Sequence, residues 1–253
     1  MNIFSIGNTI LEFEELGSTN DYALELAKKS EKILENGLVV FTKNQTNGRG
    51  QRENNWLSEK NCNLTFSICL NQLSITVNES FYLSMAIAVA LKNFLNELMI
   101  DAQIKWPNDI LVKNKKIAGI LIENSLKGNI VSQSIVGVGI NINQQDFENL
   151  NATSVFNETQ NKLDLKPALQ NLLKCIEKEL IKVSLKKYDL IKRDYLQHLI
   201  GFEKTQTYKA NNDIFEAKII DIKSDGAIEL ELNDKNKKKF YFKEVALVMS
   251  GEL

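Results

Sequence analysis

IVSQSIVGVGININ, residues 130–143, has the alternation of a strand with one unusual face. Val136, Val138, Ile140 and Ile142 share one side, while Gly137, Gly139, Asn141 and Asn143 share the other. Glycine weakens a strand, so two at alternate positions mark close approach by a ligand or tight packing against another element. Both readings stand at this point.

Strands follow one another just upstream: AQIKW at 102–106, DILV at 109–112 and KIAGILIE at 116–123, with a Lys-Gly-Asn hairpin turn at 127–129. Further back, LVVFT after Gly37 reads as a buried strand. NLTFSICL alternates, with Leu64, Phe66 and Ile68 on one face. The helices in this region are a capped one from Ser18 and an apolar, central one, FYLSMAIAVALKNFLNEL, after Ser80. Residues 144–165 are polar and poorly periodic, and Pro167 opens an amphipathic helix bearing Leu169, Leu172, Leu173, Ile176, Leu180 and Val183 on one side. From about 203 the texture changes to short strands between Asn-Asn-Asp, Ser-Asp-Gly and Asn-Asp-Lys-Asn turns. The pattern predicts an α+β domain over 1–202 and a small β-barrel over 203–253.

The bulk numbers narrow the function. A net charge of -1 gives no general attraction to DNA or a membrane surface. The longest apolar run, MAIAVAL at 85–91, falls far short of the roughly 20 residues that span a bilayer, and the N-terminus has no secretory signal pattern. Cys62, Cys69 and Cys175 lack metal-like spacing and read as free thiols of a reducing cytoplasm. With His198 as the only histidine, a Ser-His-Asp triad or a His-rich zinc site has little raw material. Chemistry here falls to Lys, Arg and carboxylates.

Three features offer such chemistry. Lys105 stands at a strand end before a Pro-Asn-Asp turn, where it is either a solvent-facing edge lysine or one placed to meet a ligand. Ser18, Thr19 and Asn20 cap a helix, and a helix N-terminus doubles as a polar ligand site. KNQTNGRGQRENNW, residues 43–56, is a polar surface loop or one that closes over an anion. The lysine-rich run 234–239 lacks interleaved aromatics and reads as a solvated hairpin loop.

Five motifs in this order, STND at 18–21, QTNGRGQR at 45–52, KWPNDI at 105–110, KIAGILIE and VGVGININ at 136–143, resemble the biotin protein ligases that biotinylate acetyl-CoA carboxylase. The resemblance covers nearly the whole chain. It implies a class II synthetase-like domain, with a central mixed β-sheet and flanking helices, followed by an SH3-like barrel. It also implies ATP, with its Mg2+, and biotin as substrates, and biotinyl-5′-AMP as the intermediate passed to a lysine of a carrier domain. Lys105 and Arg49 match the catalytic cations. Ser18, Thr19, Asn20, Gln45, Gly50, Gln51, Gly119 and Gly137, with Arg49 and Lys105, match the biotin site. Arg49, Arg52, Trp56, Lys105, Asn108 and Asn141 match the nucleotide site, and no protein metal ligand is implied.

Partners implied are a carboxylase carrier domain and a second copy in a weak homodimer, but neither DNA nor membrane. Only 17 residues precede Ser18, too few for the helix-turn-helix domain of some relatives, which favours a single-function ligase. Gln51 and Glu53 depart from the family's GRGRRGR loop, and Glu53 is expected to point to solvent and weaken adenylate retention slightly. A lipoate or octanoate ligase or transferase and a non-catalytic biotin sensor are the competing readings.

Overall fold

The computed structural model describes residues 5–29, 34–51, 54–71, 73–148, 150–211 and 213–249. Seven strands make the first sheet: β1 (Ile10–Phe13), β2 (Leu38–Thr42), β3 (Leu64–Asn71), β4 (Gln103–Lys105), β5 (Asp109–Val112), β6 (Lys115–Lys127) and β7 (Ile130–Ile140). Their spatial order is β1-β2-β3-β7-β6-β5-β4, parallel between β1 and β2 and antiparallel elsewhere, so the sheet is mixed.

Cross-strand partners share a face, which sorts this sheet into a greasy side and a bare side. Val39, Ile68, Val136 and Ile122 form one row, and Phe41, Phe66, Val138 and Ile120 the next but one. Both rows pack into the main core with α2 (Phe81–Glu97) and α4 (Leu165–Ser184). α2 is apolar nearly all round because the sheet and α4 sandwich it. Each fully buried Leu, Ile or Phe there contributes about 1.5–3 kcal/mol.

On the opposite face, Val40, Ser67, Gly137 and Leu121 form one row, and Thr42, Thr65, Gly139, Gly119, Asp109 and Lys105 another. α1 (Thr19–Lys29) covers one end, with Ala23 against Leu38, Val40, Cys69 and Ile135. Past α1 the rows carry small and polar residues. That is where a cleft opens.

Several elements differ from expectation. All eight residues of β3 are buried, its polar face included, because Thr65 and Ser67 find partners in Thr42, Thr19 and Asn20. α4 starts at Leu165, not Pro167: Asp164 caps it by accepting from the Lys166 N–H at 3.2 Å, and Pro167 sits in the first turn, where no N–H is needed. The polar stretch before it contains α3 (Val155–Thr159), capped by Ser154. β1 and α5 (Tyr188–Gln197) escaped the pattern altogether, the first being a four-residue edge strand and the second burying only Ile191 and Tyr195.

The second sheet holds β8 (Thr205–Ala210), β9 (Asp213–Ile222), β10 (Ile228–Leu232), β11 (Lys237–Phe240) and β12 (Ala246–Leu247). It is antiparallel in the order β11-β10-β9-β8-β12, in keeping with a small SH3-like module. Tyr208, Ile219, Ile228 and Leu230 extend the main hydrophobic cluster, so one core runs through both sheets. Bridges from Ile104 to Leu199 and from Phe202 to Ile219 carry the chain from one sheet to the other.

Trp106 joins them directly: its indole Nε1 donates to the Gly226 carbonyl at 2.9 Å, and its ring meets Phe242 edge-on at 6.3 Å. Gly226 has φ +88, and a Cβ there would lie 2.7 Å from Phe81 Cδ2. Gly226→Ala is therefore expected to destabilise the protein by about 2 kcal/mol, combining backbone strain with overpacking. Urea unfolding would measure it, and an unchanged midpoint would remove the joint from this account.

Candidate active site

A cleft of about 360 Å³ lies between the bare face of the first sheet and the strands of the second. Its floor is Gly119, Gly137 and Gly139, brought side by side by the pairing of β6 with β7. The far wall is apolar and comes from Tyr208, Ile219 and Ile228 of the second sheet and from Val245 just before β12.

One end is lined by neutral, closely hydrogen-bonded side chains backed by the Glu123 carboxylate. Ser18 Oγ accepts from the Asp21 N–H at 3.3 Å and so caps α1. The Thr19 N–H, free at the start of the helix, donates to Gln45 Oε1 at 2.9 Å. Ser67 Oγ lies 2.8 Å from Thr19 Oγ1 and donates to Asn20 Oδ1 at 2.6 Å. Asn20 Nδ2 donates to Glu123 Oε2 at 2.8 Å and to the Leu121 carbonyl at 3.3 Å. Ser18, Thr19, Asn20 and Ser67 are all buried, so these groups present fixed polarity rather than a wet surface.

The loop after β2 forms the roof. Gln45 bridges Leu16, Asn47 N–H reaches the Gly17 carbonyl at 2.8 Å, and Trp56 N–H returns to the Gly48 carbonyl at 2.9 Å. Gly50 and Asn54 close the tip at 2.7 Å. Arg52 and Glu53 lie outside the described residues, and with them the expectations for nucleotide contact and for a solvent-facing carboxylate. Arg49 points back to the sheet, paired with Asp21 and, at 2.8 Å, with Glu123. The Glu123 hydrogen bond outweighs burial and, with Asp21, holds the guanidinium above its ordinary pKa. The Trp56 indole lies across the glycine floor, 2.3 Å from where a Cβ on Gly139 would stand, with Lys116 Nζ 5.6 Å from its ring centre. Its Nε1 is buried without a partner among the described residues.

The other end carries cations. Lys105 ends β4, half-buried on the cleft side, while Ile104 beside it is fully buried. Asp109 is its cross-strand neighbour, yet Asp109 pairs with Lys116 at 2.7 Å, which leaves the Lys105 ammonium to face the cleft. Asn108 braces the turn between them by exchanging hydrogen bonds with the Ile120 backbone. Among the described residues, no three His, Cys, Asp or Glu side chains gather into a metal cage.

Twelve of the residues matched in sequence therefore line one cleft: Ser18, Thr19, Asn20, Gln45, Arg49, Gly50, Gln51, Trp56, Lys105, Asn108, Gly119 and Gly137. Asn141 does not. β7 ends at Ile140, and the chain then turns beneath the start of α3, where the Asn141 amide donates to the Thr153 carbonyl at 3.0 Å and its own carbonyl accepts from Val155 N–H. The glycine face is real at 137 and 139, but its continuation through Asn141 is a buried helix support. Sequence reasoning missed Asp21, Ser67 and Glu123. Carboxylates beside an arginine expected to meet an anion run against simple charge logic, and Ser67 gave no signal beyond its alternation with Phe66 and Ile68.

The model of the biotin/lipoate A/B protein ligase family matches residues 13–141, half of the chain and the whole of this site except the wall from the second sheet. The chain is also 31% identical over 248 residues to the bifunctional ligase/repressor BirA of Bacillus subtilis, covering 96% of this chain and 75% of that one. The chain belongs to the biotin/lipoate A/B protein ligase family. Within it, the chain is 31% identical over 140 residues to the biotin–[acetyl-CoA-carboxylase] ligase of Mycobacterium tuberculosis, spanning 53% of this chain and 49% of that one. Among solved structures, the biotin protein ligase of Aquifex aeolicus in complex with biotin and ATP superposes with a TM-score of 0.78 at 25% identity, covering 96% of this chain and all of that one.

Trp56 and Trp106 are the only tryptophans, and both line the cleft. A ligand entering over the glycine floor must displace or stack on the Trp56 indole. Biotin with ATP is thus expected to change the intrinsic fluorescence, and Trp56→Phe to remove most of that change; a signal kept in full by Trp56→Phe would place the ligand elsewhere.

Proposed function

We infer that the protein is a biotin protein ligase, joining biotin to ATP and then to a carrier lysine. The observation that carries this reading is the pairing, in one cleft, of an end lined by neutral hydrogen-bonding side chains over a glycine floor with the cations Arg49 and Lys105. A bicyclic urea with an acid tail needs both ends.

In the first half-reaction the biotin carboxylate oxygen attacks the α-phosphorus, and the bond to the pyrophosphate leaving group breaks. Two anions must meet, so the requirement is positive charge and placement more than a base. Lys105, free of Asp109, is proposed to hold the carboxylate and α-phosphate together, with Arg49 closing from the loop. Mg2+ enters as part of the nucleotide substrate, held by phosphates and water. Gly50 and Gln51 are proposed to shape the roof, and Trp56 and Asn108 to flank the nucleotide. In the second half-reaction the neutral amine of the acceptor lysine attacks the mixed anhydride, the C–O bond to phosphate breaks, and AMP leaves as the amide forms. The adenylate is already activated, so no nucleophile–histidine pair is needed.

The acceptor we propose is the carrier domain of acetyl-CoA carboxylase or a related carboxylase. The three cysteines are free, which supports a reducing cytoplasm as the site of action. No described helix is long and apolar enough to cross a membrane. We assign 1–202 to the catalytic unit and 203–253 to the appended one, supported by the change of sheet between α5 and β8. A weak homodimer joined edge to edge through the first sheet completes the proposal, with sedimentation as its check.

The family model spans lipoate as well as biotin enzymes, so substrate choice is the point to test. Labelled ATP–pyrophosphate exchange is expected to require biotin. Exchange that responds to lipoate and ignores biotin would overturn the assignment.

A further inference from the structure

Glu123 closes the KIAGILIE segment and stands just behind the cleft wall on β6, on the face that carries Gly119 and Leu121. We propose that Glu123 is a positioning residue that locks the two halves of the ligand site together, one carboxylate oxygen fixing the Arg49 guanidinium and the other the Asn20 amide. The inference rests on the biotin-ligase reading and concerns how that site is held in shape.

The Asn20 amide has a forced orientation. Its Nδ2 faces two acceptors, Glu123 Oε2 at 2.8 Å and the Leu121 carbonyl at 3.3 Å, while its Oδ1 takes the Ser67 hydroxyl at 2.6 Å. Turned over, the amide would set its oxygen against a carboxylate and a carbonyl. Both N–H groups are thereby committed, and Oδ1 keeps a lone pair over Gly137. The cleft then presents an acceptor, suited to the N–H of a cyclic urea. Glu123 Oε1 takes Arg49 Nη2 at 2.8 Å, and Asp21 takes Nη1. A guanidinium has five N–H donors, so others stay available to a carboxylate or phosphate.

Charge alone gives the opposite forecast. Two carboxylates beside one arginine leave the immediate surroundings net negative, which works against an incoming anion. If Glu123 acted only as a counter-charge, its removal would tighten the adenylate. If it acts by position, its removal loosens both ends together.

Glu123→Gln separates the two. Glutamine keeps the size, but its amide offers a single acceptor oxygen for two donors. In the full chain the expected results are a biotin KM raised about tenfold or more and an adenylate that dissociates about tenfold faster. Glu123→Asp restores the charge but draws the oxygens back by one methylene, and is expected to share the defect. Thermal melting of each variant is read alongside, because a purely structural role lowers the active fraction and leaves the biotin KM unchanged. Tighter or unchanged adenylate retention in Glu123→Gln, full rescue by Glu123→Asp, or an unchanged biotin KM would each overturn the inference alone. A wild-type protein without biotin-dependent exchange would overturn the functional reading and this inference with it.

Discussion

Lys105→Ala is expected to lower biotin-dependent ATP–pyrophosphate exchange by roughly 10²–10³-fold while leaving the fold in place. Negative charge accumulates on phosphoryl oxygens as the carboxylate attacks, and a fixed cation is worth most where water is excluded. Lys105 is poised for this by its neighbours. The row Lys105–Asp109–Gly119–Gly139 aims it over the glycine floor, and Lys116 takes the one carboxylate that would otherwise hold it. The side chain is only half-buried, and among the described residues it has no ion-pair partner, so its removal strands no buried charge. Stability should stay within about 0.5 kcal/mol of wild type. A variant that exchanges at the wild-type rate would remove Lys105 from the chemistry. A variant that melts early would make it a structural residue.

Gly137→Ala is the second large effect, and its cause is space. The Gly137 backbone conformation is open to any residue, yet a Cβ there would sit 2.3 Å from Asn20 Oδ1 and 2.9 Å from its Cγ. Asn20 cannot give way cheaply, since it is 3% exposed and tied to Ser67, Leu121 and Glu123. Moving it breaks the hydrogen bonds to Ser67 and Glu123, at a cost of about 0.5–1.5 kcal/mol each. Isothermal titration is expected to show biotin affinity down by about 10–100-fold, with a loss of about 1–3 kcal/mol in stability from overpacking. Gly17→Ala is the matched control: no heavy atom lies within 4 Å of its new methyl group. Equal biotin affinity in the two variants would mean that the floor beneath Asn20 is not part of the ligand site.

The two effects also show what was legible in the chain. Period-two alternation exposed β7 and its glycines, and turn residues marked the hairpins, because those signals are local. The ordered motifs then gathered residues nearly a hundred positions apart, such as Asn20 and Gly119, into one site. What stayed hidden depends on tertiary pairing. Ser67 lies on the face of its strand opposite Leu64, Phe66 and Ile68, and only α1 lying over it makes that side an interior. Asn141 looked like a continuation of the glycine face, but the strand ends one residue before it. The second sheet read as an appendage, whereas Tyr208 and Ile219 wall the cleft and Gly226 grips Trp106, next in sequence to Lys105.

The most direct test of the central claim is an intact-mass measurement on a biotin carrier domain incubated with the protein, biotin and MgATP. The expected result is the mass of one added biotinyl group, located on a lysine and dependent on both biotin and ATP. A carrier of unchanged mass, or one that gains a group from lipoate but not from biotin, would contradict it.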